Sequence, residues 1–431
     1  MKRWIEMVLD RPWAVIAAVL VLTAVSLTFL PRITFDASIE AMIPSDDPVL
    51  QDLEAVSEEF GSQTLFFIAI EGADVFSPGT LKKIADLEEA LAALPGVVSV
   101  QSPLNAEMVD SSPFGIEIRP MVSDRPETPE EIGQFKADIL SSPYEGVLVT
   151  KDGRGAALLL DLDAHAEDNT LLREIEAIVG RFKGPEEIHL VGDSYIFYYT
   201  ENAMKQDVLV LVPFVIAVIG VVLYAMFRSA LGVLLPLFTV GVSVIWTVAL
   251  MISQDIPVSL ITIVMPVILM TIGVASSIHI LTKYKEALTA GLAKREALVE
   301  TFRVITSPVV MAALTTSAGF ASLITAFVHP MREFGVLTAI GVALAMALSL
   351  TLVPALLILV KEPKVKVERE GERENGLLTR LLNALTDLAL NRPARLVLAV
   401  LAVTVVFGYG ATRVTLESNI VNYFSPSSPV K

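Results

Sequence analysis

Six long apolar stretches of this chain hold almost nothing that can titrate, and the exception in their deep part is His279. An imidazole changes charge near neutral pH, so a histidine held in a membrane span can take up and release a proton. Ser276 and Ser277 stand just before it, and Ser276 lies on nearly the same helix face. Thr315, Thr316 and Ser317 stand in the following stretch. Hydroxyls exchange hydrogen bonds but carry no proton at any relevant pH. Two readings of each group stay open. His279 is a relay member or polar substrate contact, or else a hydrogen-bonded histidine near the end of its span. The serines and threonines face one another across a helix interface, or bond to their own backbone and hold helices together.

Other chemistry is poorly represented. With no cysteine, the chain has no disulfide, thiolate nucleophile or thiolate metal site. His165, His189 and His329 have no ligand partners at useful spacing, so no metal site is expected. No GxxxxGK[ST] loop and no Ser/His/Asp constellation is present, and neither an enzyme nor a bound cofactor is expected. A formal charge of −16 argues against nucleic acid as a partner.

The elements that must position His279 follow from composition. Over 431 residues, 53% are hydrophobic and only 19% charged, and mean hydropathy is +0.63. A soluble chain has about 25% charged residues, so this is a membrane protein with a water-soluble part. A hydrocarbon core about 30 Å thick needs roughly 20 apolar residues of helix. Seven stretches qualify: 12–30, 208–227, 230–252, 257–281, 305–328, 334–360 and 394–411. The first follows Lys2 and Arg3 but is longer than a secretory signal core and lacks a cleavage site, so a retained anchor is expected.

Residues 31–206 hold 33 acidic and 12 basic residues, a net charge of −21, against +5 for the remainder. Outside that segment the basic residues cluster in alternate loops. Lys2, Arg3 and Arg11 precede span 1, Arg228 follows span 2, and Lys283–Arg303 lies between spans 4 and 5. The positive-inside rule then predicts a cytoplasmic N-terminus and an extracytoplasmic acidic domain in the inner membrane. That domain reads as strand 64–70, helix 77–94, strand 97–100, helix 128–140, a hairpin of 147–150 with 156–162, helix 167–182 and strand 188–191. Without the extra helix, this is close to βαββαβ, a split-βαβ α/β sandwich. Residues 284–302 carry Tyr284, Leu288, Leu292, Leu298 and Phe302 as a stripe and read as an interfacial helix. Gly273, Gly319, Gly335 and Gly341 suit close helix packing.

Residues 9–49 and 390–430 align without a gap at an offset of 381. Asp10-Arg-Pro matches Asn391-Arg-Pro before the span, and Arg32-Ile-Thr-Phe-Asp matches Arg413-Val-Thr-Leu-Glu after it. Ile39 matches Ile420, and Pro48-Val49 matches Pro429-Val430. A true repeat is expected, with one complete unit and the start of another. The organisation is 1–30, N-terminus and span 1; 31–206, the acidic domain; 207–360, spans 2–6; 361–393, a charged linker; 394–431, span 7 and the start of the second repeat.

This layout resembles the resistance-nodulation-division superfamily, and within it the MMPL and hopanoid-exporter-like branch. The motifs that carry the likeness are Phe35-Asp36 with Ile43-Pro-Ser-Asp-Asp-Pro, Ile272-Gly-Val-Ala-Ser-Ser-Ile-His-Ile, Lys283-Tyr-Lys-Glu, Leu314-Thr-Thr-Ser-Ala-Gly-Phe, Glu333-Phe-Gly and Val353-Pro-Ala-Leu-Leu. The resemblance implies a polytopic helical bundle with a porter-like, ferredoxin-like outer domain. It implies proton-driven export of lipids or other hydrophobic or amphiphilic molecules, and spans 2–6 also resemble the sterol-sensing domain. The family keeps an acidic residue in span 4 at the position that Ser276 occupies here, which leaves His279 as the titratable candidate. Expected partners are a hydrophobic substrate, the membrane, a second repeat half or homo-oligomer, and a periplasmic protein. The rival reading is a lipid-sensing or scaffold protein that transports nothing.

Overall fold

A computed structural model describes residues 2–38, 40–44, 47–60, 66–112, 115–122, 124–162, 169–182, 184–360 and 377–415. Residues 361–376 of the charged linker, His165, and the repeat matches at Ile420 and Pro429 lie outside the described residues, whereas 377–391 of the linker are helical. Two helices open the chain, α1 (Lys2–Asp10) and α2 (Pro12–Leu27). Arg11 separates them at φ −128° and ψ 52°, because a residue ahead of proline is pushed out of the helical region.

After α3 (Pro48–Phe60) comes the α/β domain: β1 (Phe66–Glu71), α4 (Pro78–Ala92), β2 (Val97–Gln101), β3 (Glu107–Ser112), β4 (Gly115–Pro120), α5 (Pro129–Leu140), β5 (Gly155–Leu162), α6 (Asn169–Val179) and β6 (Glu187–Val191). Ser77 caps α4 by accepting from Thr80 N, and Thr128 and Glu131 form a capping box on α5. The sheet order is β2-β5-β1-β6 with every neighbouring pair antiparallel, as the split-βαβ pattern requires. Strand alternation buries Phe66, Ile68 and Ile70 in one core with Leu81, Ile84 and Leu87 of α4 and Ile175 of α6. Residues 147–150 pair back on the start of β5 as the expected hairpin, but only as an isolated bridge: Val149 lies antiparallel to Ala156, Thr150 N donates to Gly155 O (2.9 Å) and Ala157 N to Leu148 O (2.8 Å). The pairing goes no further because β2 takes that edge of β5 from Leu159 on. The β3–β4 hairpin is a separate two-stranded unit.

From β6 the chain enters α7 (Asp193–Phe227), a 35-residue helix about 52 Å long at 1.5 Å per residue. Its start lies in the core of the α/β domain at Tyr195 and its end in the far core of the bundle at Phe227. Then follow α8 (Ala230–Ser253), α9 (Met265–Thr289), α10 (Lys294–Ala321), α11 (His329–Leu359), α12 (Leu377–Asn391) and α13 (Pro393–Ala411). Among the described residues, α2, α7 to α11 and α13 are long and apolar enough to cross a membrane, which makes this a multi-pass membrane protein.

Residues 284–302 do not form an interfacial helix. Helix α9 runs on to Thr289, the chain reverses at Gly291 (φ +88°) and α10 begins at Lys294. Tyr284, Leu298 and Phe302 are buried with Ile280 and Val353, so the stripe marks two long helices packing on each other. The positive φ that glycine tolerates supplies the turn. Lysines tie this turn to its neighbours: Lys285 Nζ donates to Phe227 O (3.1 Å) and Lys294 Nζ to Ile358 O (2.7 Å).

Helix α1 buries Ile5 and Leu9 in the same core, and Asp10 pairs with Arg295 at 2.6 Å. Val19 of α2 seats against Val242 of α8 and Leu348 and Leu352 of α11, and Trp246 Nε1 donates to Thr23 Oγ1 at 3.0 Å. The bonds Arg11 N to Met7 O, Ala14 N to Arg11 O and Arg32 N to Phe29 O recur 381 positions on as Arg392 N to Leu388 O, Arg395 N to Arg392 O and Arg413 N to Gly410 O. Thr23 Oγ1 donates to Val19 O, and Thr404 Oγ1 to Val400 O. Helix α13 itself buries no residue.

Candidate functional site

A cavity of about 480 Å³ lies among α9, α10 and α11. Ile272, Ala275, Ser276 and His279 line it from α9, Pro308, Ala312 and Thr316 from α10, and Val342 and Met346 from α11. Small residues make the space. Alanine and serine at 275, 276 and 312 leave room that larger side chains would fill, while Gly273 sits deeper. A Cβ there would come within 2.4 Å of Val240, so α9 and α8 touch at that level. Pro308 has no N–H for the Val304 carbonyl, which loses its helical donor beside the cavity.

Apolar cores close both ends. Ile305 and Val309 belong to the cavity wall and to the core around Tyr284. Ala313 and Val342 belong to the wall and to the core on the side of the α/β domain, with Met265, Leu269 and Phe334. The side between α9 and α10 is open, and Ala275, His279, Pro308 and Ala312 are exposed there. Among the described residues, His279 is the one titratable group of the wall and no carboxylate lines it. The pair His329–Glu333 (3.1 Å) sits apart, at the first turn of α11.

The expected site residues therefore divide. Ser276, His279 and Thr316 come together on the cavity wall. Ser277 does not: it is fully buried, with its Oγ 3.4 Å from Ser349 Oγ on α11. Successive helix residues point about 100° apart, so Ser276 and Ser277 cannot share one face. Thr315 is exposed off the cavity and donates back to Met311 O and Ala312 O. Ser317 Oγ donates to Ala339 O at 3.0 Å and ties α10 to α11. Sequence reasoning missed Ser349, a hydroxyl inside the apolar run of α11 that carries no local motif.

The sequence profile of the MMPL family matches residues 41–393. The chain belongs to the MMPL family. It is accordingly a membrane transporter of the resistance-nodulation-division type. Similar proteins include a protein of Methanocaldococcus jannaschii named only as a membrane protein. It is 26% identical over 352 residues, covering 78% of this chain and 87% of that one. A membrane protein of Streptomyces coelicolor is 24% identical over 224 residues, 50% of this chain and 26% of that protein. In this MMPL transporter the matched region holds the whole cavity and the α/β domain.

Proposed function

We propose that this transporter exports lipids or other hydrophobic or amphiphilic molecules, driven by the proton gradient. The observation that carries the reading is the cavity, where His279 is the one titratable group among the described residues and Ser276 and Thr316 offer hydroxyls on the same wall. The rest of its wall is apolar. The acidic α/β domain receives the substrate outside, and the basic residues in alternate loops support a cytoplasmic N-terminus in the inner membrane. The open side of the cavity between α9 and α10 accepts a second unit, which brings the acid that Ser276 replaces. The bonds repeated at an offset of 381 support such a duplication. A second repeat half or a homo-oligomer supplies that unit.

The test is export of a fluorescent long-chain amphiphile from vesicles holding the full chain under an imposed proton gradient. Movement that stops when a protonophore collapses the gradient is expected. Movement indifferent to the protonophore contradicts proton drive. Binding of the amphiphile without movement favours the lipid-sensing reading.

A further inference from the structure

Between α2 and α3 the chain crosses the end of the bundle that faces the α/β domain. Val258 N donates to Thr34 O (2.8 Å) and Asp36 N to Val258 O (3.0 Å). Phe35 thus lies parallel beside Val258 in an isolated bridge, unlike the six-residue ladder between β1 and β5. Asp36 Oδ1 accepts from Ser38 N (2.9 Å) and turns the chain inward. Ser38 Oγ accepts from Ala41 N (3.2 Å), and the turn Glu40–Met42 rests on α11. Ala37, 3% exposed, is pressed into the apolar core that also holds Met204, Leu269, Phe334 and Val342. Ala313 and Val342 of that core are cavity wall, so this segment is the outer layer of the barrier between the cavity and the water on the domain side.

We propose that Thr34–Ser38 is a strap that gates the cavity on the domain side, closed in this structure and released by movement of the α/β domain. One route reaches it: Lys205 of α7 stands 5.5 Å from the Phe35 ring centroid, on one helix with the domain residue Tyr195. The fastening suits a latch. Two backbone bonds, one buried alanine and the half-buried Phe35 ring against the same core hold it, and among the described residues no side chain of the strap hydrogen-bonds to the bundle. The purpose of the gate rests on the transport reading, but its existence is measured by access to the cavity.

Because the chain lacks cysteine, the test is direct. Phe35→Cys and Val258→Cys replace residues that lie side by side in this parallel bridge, with Cα atoms about 4.8 Å apart, within the range that a disulfide accepts. A third substitution, Thr316→Cys, reports from the cavity wall. In vesicles of the full chain, a charged, membrane-impermeant thiol reagent is added on the domain side, and labelling at 316 is read by mass spectrometry. The disulfide should form on oxidation and slow labelling at 316 by about tenfold or more, with recovery on reduction. Without the lock, Asp36→Ala, which removes the acceptor for Ser38 N, should speed labelling at 316. Equal labelling in locked and reduced protein overturns the gate, as does failure of the two cysteines to pair or an Asp36→Ala rate no faster than the parent. If labelling follows the lock while no amphiphile moves under either condition, the gate stands and the transport reading falls.

Discussion

Val19 on α2 is 6% exposed, whereas Val400 on α13, its counterpart 381 positions on, is 57% exposed. Both accept a hydrogen bond from a threonine four residues later, and both helices start after the same Arg-Pro break. What differs is the neighbour. Helix α2 has Trp246, Leu348 and Leu352 against it, and α13 has no buried residue. Caps, breaks and back-bonded hydroxyls are local and travel with the sequence. Burial belongs to the partner surface, and in a membrane that surface acts by close packing and a few hydrogen bonds rather than by exclusion of water.

The sharpest way to break this comparison is Trp246→Ala in detergent-solubilised protein. It empties the seat of α2 and removes the donor to Thr23, at a cost of about 3 kcal/mol. Thermal unfolding of the bundle should move down strongly, while a chain truncated after Val360, without α12 and α13, should unfold where the parent does. Equal losses would mean that α13 is seated after all. Next in size, Val19→Ala should cost about 1–2 kcal/mol and Val400→Ala almost nothing. A comparable loss at both positions contradicts the difference in burial.

Acidification probes the α/β domain through one ion pair, Lys83 with Glu186. The Lys83 ammonium beside Glu186, with Thr80 also donating, holds that carboxyl below its ordinary value of 4.5. The folded form therefore gains stability from this group above the ordinary value and loses it as pH falls below, through the depressed one. Lys83→Met should cost about 1.5 kcal/mol near neutral pH, as expected for a charge-assisted bond, and flatten the acid limb of the domain's unfolding. An unchanged acid limb contradicts the pairing. The smallest effect belongs to Asp10→Asn, which gives α1 the asparagine found at 391. Losing an exposed pair with Arg295 should cost only a few tenths of a kcal/mol, and a larger loss in thermal unfolding would show that α1 is held by charge rather than by Ile5 and Leu9.

The spans and the sheet order were legible because unbroken apolar length and turn residues such as Ser77-Pro78 and Thr128-Pro129 act locally. The stripe at 284–302 was misread for a physical reason: an amphipathic face looks the same whether it lies on a bilayer or on another helix. Glycines show the same limit. A Cβ at Gly335 would come within 2.6 Å of Phe320 O and one at Gly341 within 2.6 Å of Leu269, yet Gly319 has nothing within 4 Å. Nothing in its sequence neighbourhood separates Gly319 from the others. At the site, Ser276 with His279 followed from helix spacing, and the pairing of Ser277 with Ser349 did not, since it joins residues 72 positions apart on α9 and α11.

In the proposed mechanism the cavity couples proton movement to export through His279. The most direct measurement of this coupling is the pH profile of amphiphile export in reconstituted vesicles for the parent, Ser276→Ala and His279→Ala. Each hydroxyl in a membrane interior contributes about 0.6 kcal/mol, so Ser276→Ala should slow export modestly and leave the shape of the profile alone. His279→Ala should remove the dependence on pH while the protein remains folded by circular dichroism. A His279→Ala protein whose export falls but keeps the parent's pH profile would contradict the account.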